Sequence, residues 1–171
     1  MSRMIDDMLF LAKSDNGLII PEQAPTELAD VVVKLLDYYH LLADERDIRL
    51  SGAGNVLGDK LMLDRAVSNL LSNALRYTPV GETISVTIHE TERTVTLSVE
   101  NPGGTIKPEH LDKLFYRFYR VDPARREGSP SNAGLGLAIT RSIVEAHKGR
   151  IWCTSVDGVT GFHIELPRLN K

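Results

Sequence analysis

Apolar residues recur at three- and four-residue spacing near the start of the chain, at Met4, Ile5, Met8, Leu9, Leu11 and Ala12. That stripe predicts an amphipathic helix, and Asp15-Asn16-Gly17 ends it. Residues 18–22 read as a short strand. A second helix is predicted from Thr26 to about Ala43, with Leu28, Val31, Val32, Leu35, Leu36 and Tyr39 along one side. Ile48–Leu50 and Asn55–Leu57 read as short strands joined by the turn Ser51-Gly52-Ala53-Gly54. Asp59 caps a third helix that runs to about Tyr77, where Thr78-Pro79 stops it. Thr83–His89 and Val95–Val99 alternate in the manner of a hairpin. Residues 107–119 read as helical, 120–133 as a polar loop, and Gly134–His147 as a further helix. Arg150–Ser155 and Phe162–Leu166 close the chain as strands. This mixture predicts an α+β fold, a sheet with helices on one face.

The 171 residues suffice for one domain with a real core, and 42% hydrophobic with 25% charged residues is an ordinary globular balance. A net charge of −3 argues against nucleic-acid binding through a basic surface. A single cysteine, Cys153, allows neither a disulfide framework nor a cysteine-based zinc site, which fits a reducing compartment. No apolar run approaches the roughly 20 residues of a membrane span, and no signal peptide is visible. The chain is expected to be soluble and cytosolic in character. The N-terminal helix has two readings: it packs on the domain, or it is the cut end of a longer helical hairpin.

Four stretches carry candidate chemistry. In SNAGLGLAIT (131–140), Gly134 and Gly136 precede a helix. No Gly-Lys-Ser/Thr follows, so it is not a P-loop, and no strand precedes it, so it is not a dinucleotide fingerprint. A helix start with free backbone N–H groups and glycines remains, suited to phosphate or simply to chain reversal. In NLLSNALRYTP (69–79), Asn69 and Asn73 share a helix face. Asparagine is a poor helix-interior residue, and an amide oxygen suits Mg²⁺. Arg76 could meet a phosphate and Tyr77 stack on a base. The alternative is a solvated polar stripe. In VENPGGTI (99–106), Pro102-Gly103-Gly104 makes a turn that backbone can bring close to a ligand, or a plain hairpin exit. KLFYRFYR (113–120) places Phe115, Tyr116, Phe118 and Tyr119 before a loop whose cations Arg117, Arg120, Arg125 and Arg126 form either a solvated surface or a basic cover over a triphosphate.

In this order and spacing the four stretches resemble the N, first glycine, F and second glycine boxes of the sensor histidine kinases. The resemblance spans about residues 3 to 167. It implies the two-layer α/β sandwich of Bergerat (GHKL) type shared with gyrase, with a mixed sheet and helices on one face. SRMIDDMLFLAKSDNG, LFYRFYRVDPARR and GLGLAITRSIVEAHKG are close in wording to the heavy-metal, copper/silver-type members.

By resemblance, ATP and Mg²⁺ are the cofactors. Asn73 is the implied Mg²⁺ ligand and Asn69 its neighbour in the N box. Arg76 is expected on phosphate and Tyr77 on adenine. Asn101, Gly103 and Thr105 form the first glycine box. Phe115 and Phe118 are expected to anchor the hinge of an ATP lid over about 117–133, with Arg120 at its base. Gly134, Leu135, Gly136 and Leu137 are expected to hold phosphates. Three positions depart from the pattern. Asn101 stands where Asp is usual, Thr105 replaces a glycine, and Asn132 opens the second glycine box. The uncharged Asn101 oxygen still accepts a hydrogen bond, more weakly.

The family phosphorylates a histidine within a His-Glu-x-Arg/Lys-x-Pro phrase. None of His40, His89, His110, His147 and His163 stands in one. Residues 1–15 are therefore expected to be the end of a dimerisation hairpin, and 16–171 the catalytic ATP-binding domain. The expected partners are that phosphoacceptor hairpin and a response regulator, with no nucleic acid and no membrane contact by this fragment. The parent is expected to be an inner-membrane bacterial sensor with this domain in the cytoplasm. A degenerate nucleotide-dependent binding module is the alternative, motivated by Asn101 and Thr105. A gyrase-type ATPase is disfavoured, because Asn69 stands where those enzymes carry a water-activating Glu and cannot act as a base.

Overall fold

Every second residue of Thr83–Glu90 and Thr94–Pro102 is buried, and that alternation is what a sheet covered on one face requires. The computed structural model describes residues 3–15, 17, 20, 23–39, 47–119 and 135–169. In chain order the elements are α1 (Arg3–Asp15), β1 (Ala24–Glu27), α2 (Leu28–Tyr39), β2 (Asp47–Gly52), β3 (Asn55–Gly58), α3 (Lys60–Tyr77), β4 (Thr83–Glu90) and β5 (Thr94–Pro102). Then come α4 (Pro108–Leu111), a 3₁₀ turn (Lys113–Phe115), α5 (Gly136–Ala146), β6 (Arg150–Val156) and β7 (Val159–Pro167). The main sheet has the order β2-β4-β5-β7-β6. Its β2–β4 pair is parallel and the rest antiparallel, so the chain crosses from β2 to β4 through α3. β1 and β3 form a separate antiparallel ribbon.

The core is a single apolar layer between sheet and helices. Ile84, Val86, Ile88, Val95, Leu97, Val99, Phe162, Ile164 and Leu166 of the sheet meet Leu28, Val31 and Val32 of α2, Leu63, Val67, Leu70 and Leu71 of α3, and Val144 of α5. The outward-pointing residues between them are polar, among them Ser85, Thr87, His89, Thr96 and Ser98. The α+β sandwich expected from the pattern is the observed fold, and the hairpin, the last two strands and the Asp59-capped helix lie where the pattern places them.

Several local expectations are corrected. The strand expected at 18–22 lies mostly outside the described residues. A strand forms instead at Ala24–Glu27 and takes Thr26 and Glu27 from the expected second helix, because their backbone pairs with Val56 and Asn55. The end of that helix beyond Tyr39 lies outside the described residues. The segment 107–119 is not one helix. Tyr116 is extended and Phe118 has φ +63°, so only short turns form. The predicted stripe of α1 is also rotated. Leu11 is buried, Asp7 is nearly so, and Phe10 is half-buried, while Ile5, Met8 and Leu9 face solvent. Asp7 explains the rotation, since its carboxylate is paired at 2.7 Å with Arg65 of α3, whose guanidinium also lies 4.5 Å over the Phe10 ring.

Candidate functional site

α3 and α5 run antiparallel, held by two polar ties at different heights. At one, the Asn69 Nδ2 donates to the Gly136 carbonyl at 3.1 Å and to Thr140 Oγ1 at 3.3 Å. Thr140, fully buried, donates to the same carbonyl at 2.9 Å. At the other, the Asp59 backbone N–H donates to His147 Nε2 at 3.1 Å, while His147 Nδ1 lies 2.7 Å from the Ile143 carbonyl and so carries the proton. The Asp59 carboxylate meanwhile accepts from the Met62 N–H at 3.0 Å and caps α3.

Beyond the first tie, α3 continues for two turns past the start of α5. Asn73 follows Asn69 by one turn, about 6 Å along the axis. Its side chain is half-buried, and Arg76 and Tyr77 are exposed. The Arg76 guanidinium lies 5.5 Å from the centre of the Tyr77 ring. The turn after β5 is pressed against this end of α3. Gly103 has φ +148°, and a Cβ there would stand 2.5 Å from the Tyr77 carbonyl oxygen and 3.6 Å from Asn101 Nδ2. Only glycine fits so close a backbone approach. Asn101 is buried, and its Nδ2 donates one hydrogen to the Pro102 carbonyl at 3.0 Å.

The structure therefore gathers Asn69, Asn73, Tyr77, Asn101, Gly103 and Gly136 around one end of the helix layer. Thr105 lies further out and is exposed. Leu135 is buried against Leu11, Ala138, Ile139 and Ile143, and Leu137 packs partly on the main core. Phe115 is buried, with its ring edge-on to Phe162 at 6.1 Å. Phe118 is 53% exposed, so burial holds the segment at Leu114 and Phe115, with Tyr119 partly packed on the core. Arg117 pairs with Asp15 and donates to the Leu11 carbonyl at 3.5 Å, tying the segment before Phe118 to α1. Arg120 and Gly134, with the bulk of the expected lid, lie outside the described residues.

Among the described residues the remaining titratable groups offer no rival centre. Among the described residues no three His, Cys, Asp or Glu side chains are grouped as a metal cage. Burial pushes the Cys153 thiol up to about 12, so it stays protonated and unreactive. Both ring nitrogens of His147 are engaged, and those of His163 lie 2.7 Å from Ser98 Oγ and 2.9 Å from Thr154 Oγ1. The groups missed from sequence are Thr140, His147 and the Asp7–Arg65 pair. Thr140 alone carries a local signal, a hydroxyl one turn after Gly136.

This geometry defines a class, an α/β sandwich in which an asparagine-bearing helix, a glycine turn and a glycine-started helix converge. Residues 58–170 match the family described as histidine kinase-, DNA gyrase B-, and HSP90-like ATPase, and the chain belongs to that family. Within it, the chain is 54% identical over 171 residues to the sensor histidine kinase CusS of Escherichia coli K12, covering 98% of this chain and 35% of CusS. It is 57% identical over 136 residues to the sensor protein CopS of Pseudomonas syringae pv. tomato, covering 78% of this chain and 28% of CopS. The chain thus spans about a third of the length of the relatives it matches. Among solved structures, the mycobacterial sensor histidine kinase MprB superposes with a TM-score of 0.77 at 26% identity, covering 88% of this chain and all of that one.

Proposed function

We propose that this chain is the ATP-binding catalytic part of a metal-responsive two-component sensor histidine kinase. It binds Mg–ATP at the end of the α3–α5 layer and gives the γ-phosphoryl to a histidine on a dimerisation hairpin, of which α1 is the last part. A response regulator then receives the phosphoryl group. The whole kinase would sit in the inner membrane with this domain on the cytoplasmic side; no helix among the described residues is long and apolar enough to cross a membrane. The observation that carries the reading is the second half of α3, which runs from Asn69 on the Gly136 carbonyl to Tyr77 under the Gly103 turn that follows Asn101.

The residues fit the ligand. The Gly103 turn sits directly on the end of α3, Asn101 Oδ1 can accept from an adenine amino group, and Tyr77 offers a ring face. The N–H groups opening α5 suit phosphate oxygens, and Arg76 adds a fork of donors. With no carboxylate cage near, Asn73 would hold Mg²⁺ through its amide oxygen, beside phosphate and water. Mg²⁺, when bound, neutralises charge on the phosphates. The chain's own part is to position the γ-phosphoryl and keep it from water. Asn69 cannot take a proton from water, so ATP is spared for the histidine. The test is calorimetric titration of ATP with and without Mg²⁺, beside Asn73→Ala. Mg²⁺-dependent binding that weakens at least tenfold in the variant is expected. No binding at millimolar ATP would overturn the reading.

A further inference from the structure

Asn69 occupies the position at which a gyrase-type enzyme carries its general base, yet its amide nitrogen is fully committed elsewhere. Both Nδ2 hydrogens are used, one on the Gly136 carbonyl at 3.1 Å and one on Thr140 Oγ1 at 3.3 Å. The Thr140 hydroxyl closes the triangle by donating to Gly136 at 2.9 Å. The side chain also lies against the glycine: a Cβ at Gly136 would stand 3.7 Å from Asn69 Cγ and 3.8 Å from its Oδ1. These bonds fall on the first residue of α5 and on the residue one turn later. They fix where that helix begins.

We infer that Asn69 is a positioning residue which, with Thr140, pins the first turn of α5 at a set distance from Asn73, and so sets nucleotide affinity without joining phosphoryl transfer. The inference rests on the Mg–ATP reading above. Its chemistry is one of donors and acceptors. Gly136 offers only a carbonyl, and Thr140 has already given its proton to that carbonyl. A partner at residue 69 must therefore bring protons. A carboxylate there would face acceptors with nothing to donate, and a buried acceptor left in that state is costly. The structure has thus given up hydrolytic chemistry at this position for a helix-to-helix fastening. The antiparallel helices are fastened a second time at Asp59 and His147, at the far end of α5. The pair cannot slide without breaking one fastening or the other.

The experiment uses the chain as it stands and reads Mg–ATP affinity by calorimetry, with amide exchange at Ile139 and Thr140 as a nucleotide-free readout. Asn69→Asp is expected to weaken binding at least tenfold at about pH 8. The deficit relative to the parent should narrow towards about pH 5, as the introduced carboxyl, raised by its acceptor neighbours, takes up a proton and can donate again. Asn69→Ala should weaken binding without that pH dependence. Thr140→Val should weaken it too, and Thr140→Ser, which keeps the hydroxyl, should stay within about threefold of the parent. Because the two side chains act through one carbonyl, Asn69→Ala with Thr140→Val should cost less than the product of the single losses. Exchange at Ile139 and Thr140 should speed up in Asn69→Asp even without nucleotide. Asn69→Asp binding as tightly as the parent at about pH 8, or losses that simply multiply, would overturn the inference. A parent that fails to bind Mg–ATP refutes the proposed function instead. The exchange data then decide the fastening alone, unchanged protection refuting it.

Discussion

Replacing Gly103 with alanine adds one methyl group where the turn after β5 touches the end of α3. Two costs follow, and a neighbour separates them. The first is backbone strain. Gly103 and Gly104 have φ of +148° and +120°, a region side-chain-bearing residues avoid, at about 1–3 kcal/mol each. The second belongs to Gly103 alone. Its new Cβ would stand 2.5 Å from the Tyr77 carbonyl oxygen, whereas one at Gly104 meets nothing within 4 Å. Reaching ordinary contact near 3.5 Å requires the turn and the helix to part by about 1 Å. Overpacking of that kind costs about 1–3 kcal/mol. In a chain of this length each kcal/mol lowers the melting midpoint by about 2–4 °C, so Gly103→Ala should melt about 2–12 °C below Gly104→Ala. The parting also moves Asn101 away from Tyr77, so Gly103→Ala should lose at least tenfold in ATP affinity while Gly104→Ala stays near the parent. Thermal melts and calorimetry on the two variants side by side are the assay. Equal melting points and equal affinities would refute the claim that the Gly103–Tyr77 approach holds the site together.

Leu11→Ala should free α1 from its seat between α3 and α5 at a cost of about 2–3 kcal/mol, seen as lost amide protection in α1; Leu9→Ala, at a site 58% exposed, should leave it unchanged. Asp59→Ala removes the carboxylate that caps α3 and should lower stability by about 1 kcal/mol in urea titration, an unchanged midpoint counting against the cap. Burial holds the His163 imidazole below its ordinary 6.5, against the opposing pull of Glu100, while its ring stacks on Trp152, whose ring also meets the Arg150 guanidinium at 4.4 Å. A depressed value means that the unfolded chain binds the proton more readily. The contribution of the neutral ring is therefore complete above 6.5 and falls away as pH drops below it. Urea titrations across that range should show a shallower pH slope for His163→Gln than for the parent, and parallel slopes would count against the assignment.

What could be read from sequence was what local physics decides. Asp59 caps α3 through its own next turn, and the alternation of 83–99 needs only a covered face. The strand Ala24–Glu27 escaped because its partner, Asn55–Gly58, lies some thirty positions on, and Pro25 within it spoils the local signal. The face of α1 was misjudged because Asp7 looks like a solvent residue until Arg65, 58 positions away, is brought to it. At the candidate site, Asn73, Tyr77 and Gly136 stand out by type and spacing, and Asn101 only through the family resemblance. The employment of Asn69 does not, since it depends on which helix lies alongside α3 and at what height. Thr140 and His147 escaped for the same reason.

The antiparallel course of α3 and α5 has an electrical consequence. Peptide dipoles leave a helix with a partial positive pole at its start and a partial negative one at its finish, each about half an elementary charge. Here the start of α5 lies beside Asn69 and the finish of α3 about two turns further on, so opposite poles face the same end of the layer at different heights. A bare anion would find one pole welcoming and the other hostile, as would a bare cation. A ligand that is itself a metal cation bound to a polyanion satisfies both, with the metal towards α3 and the oxygens towards α5. On the proposed Mg–ATP reading, a preference for the metal complex over either component follows from the direction in which the two helices run.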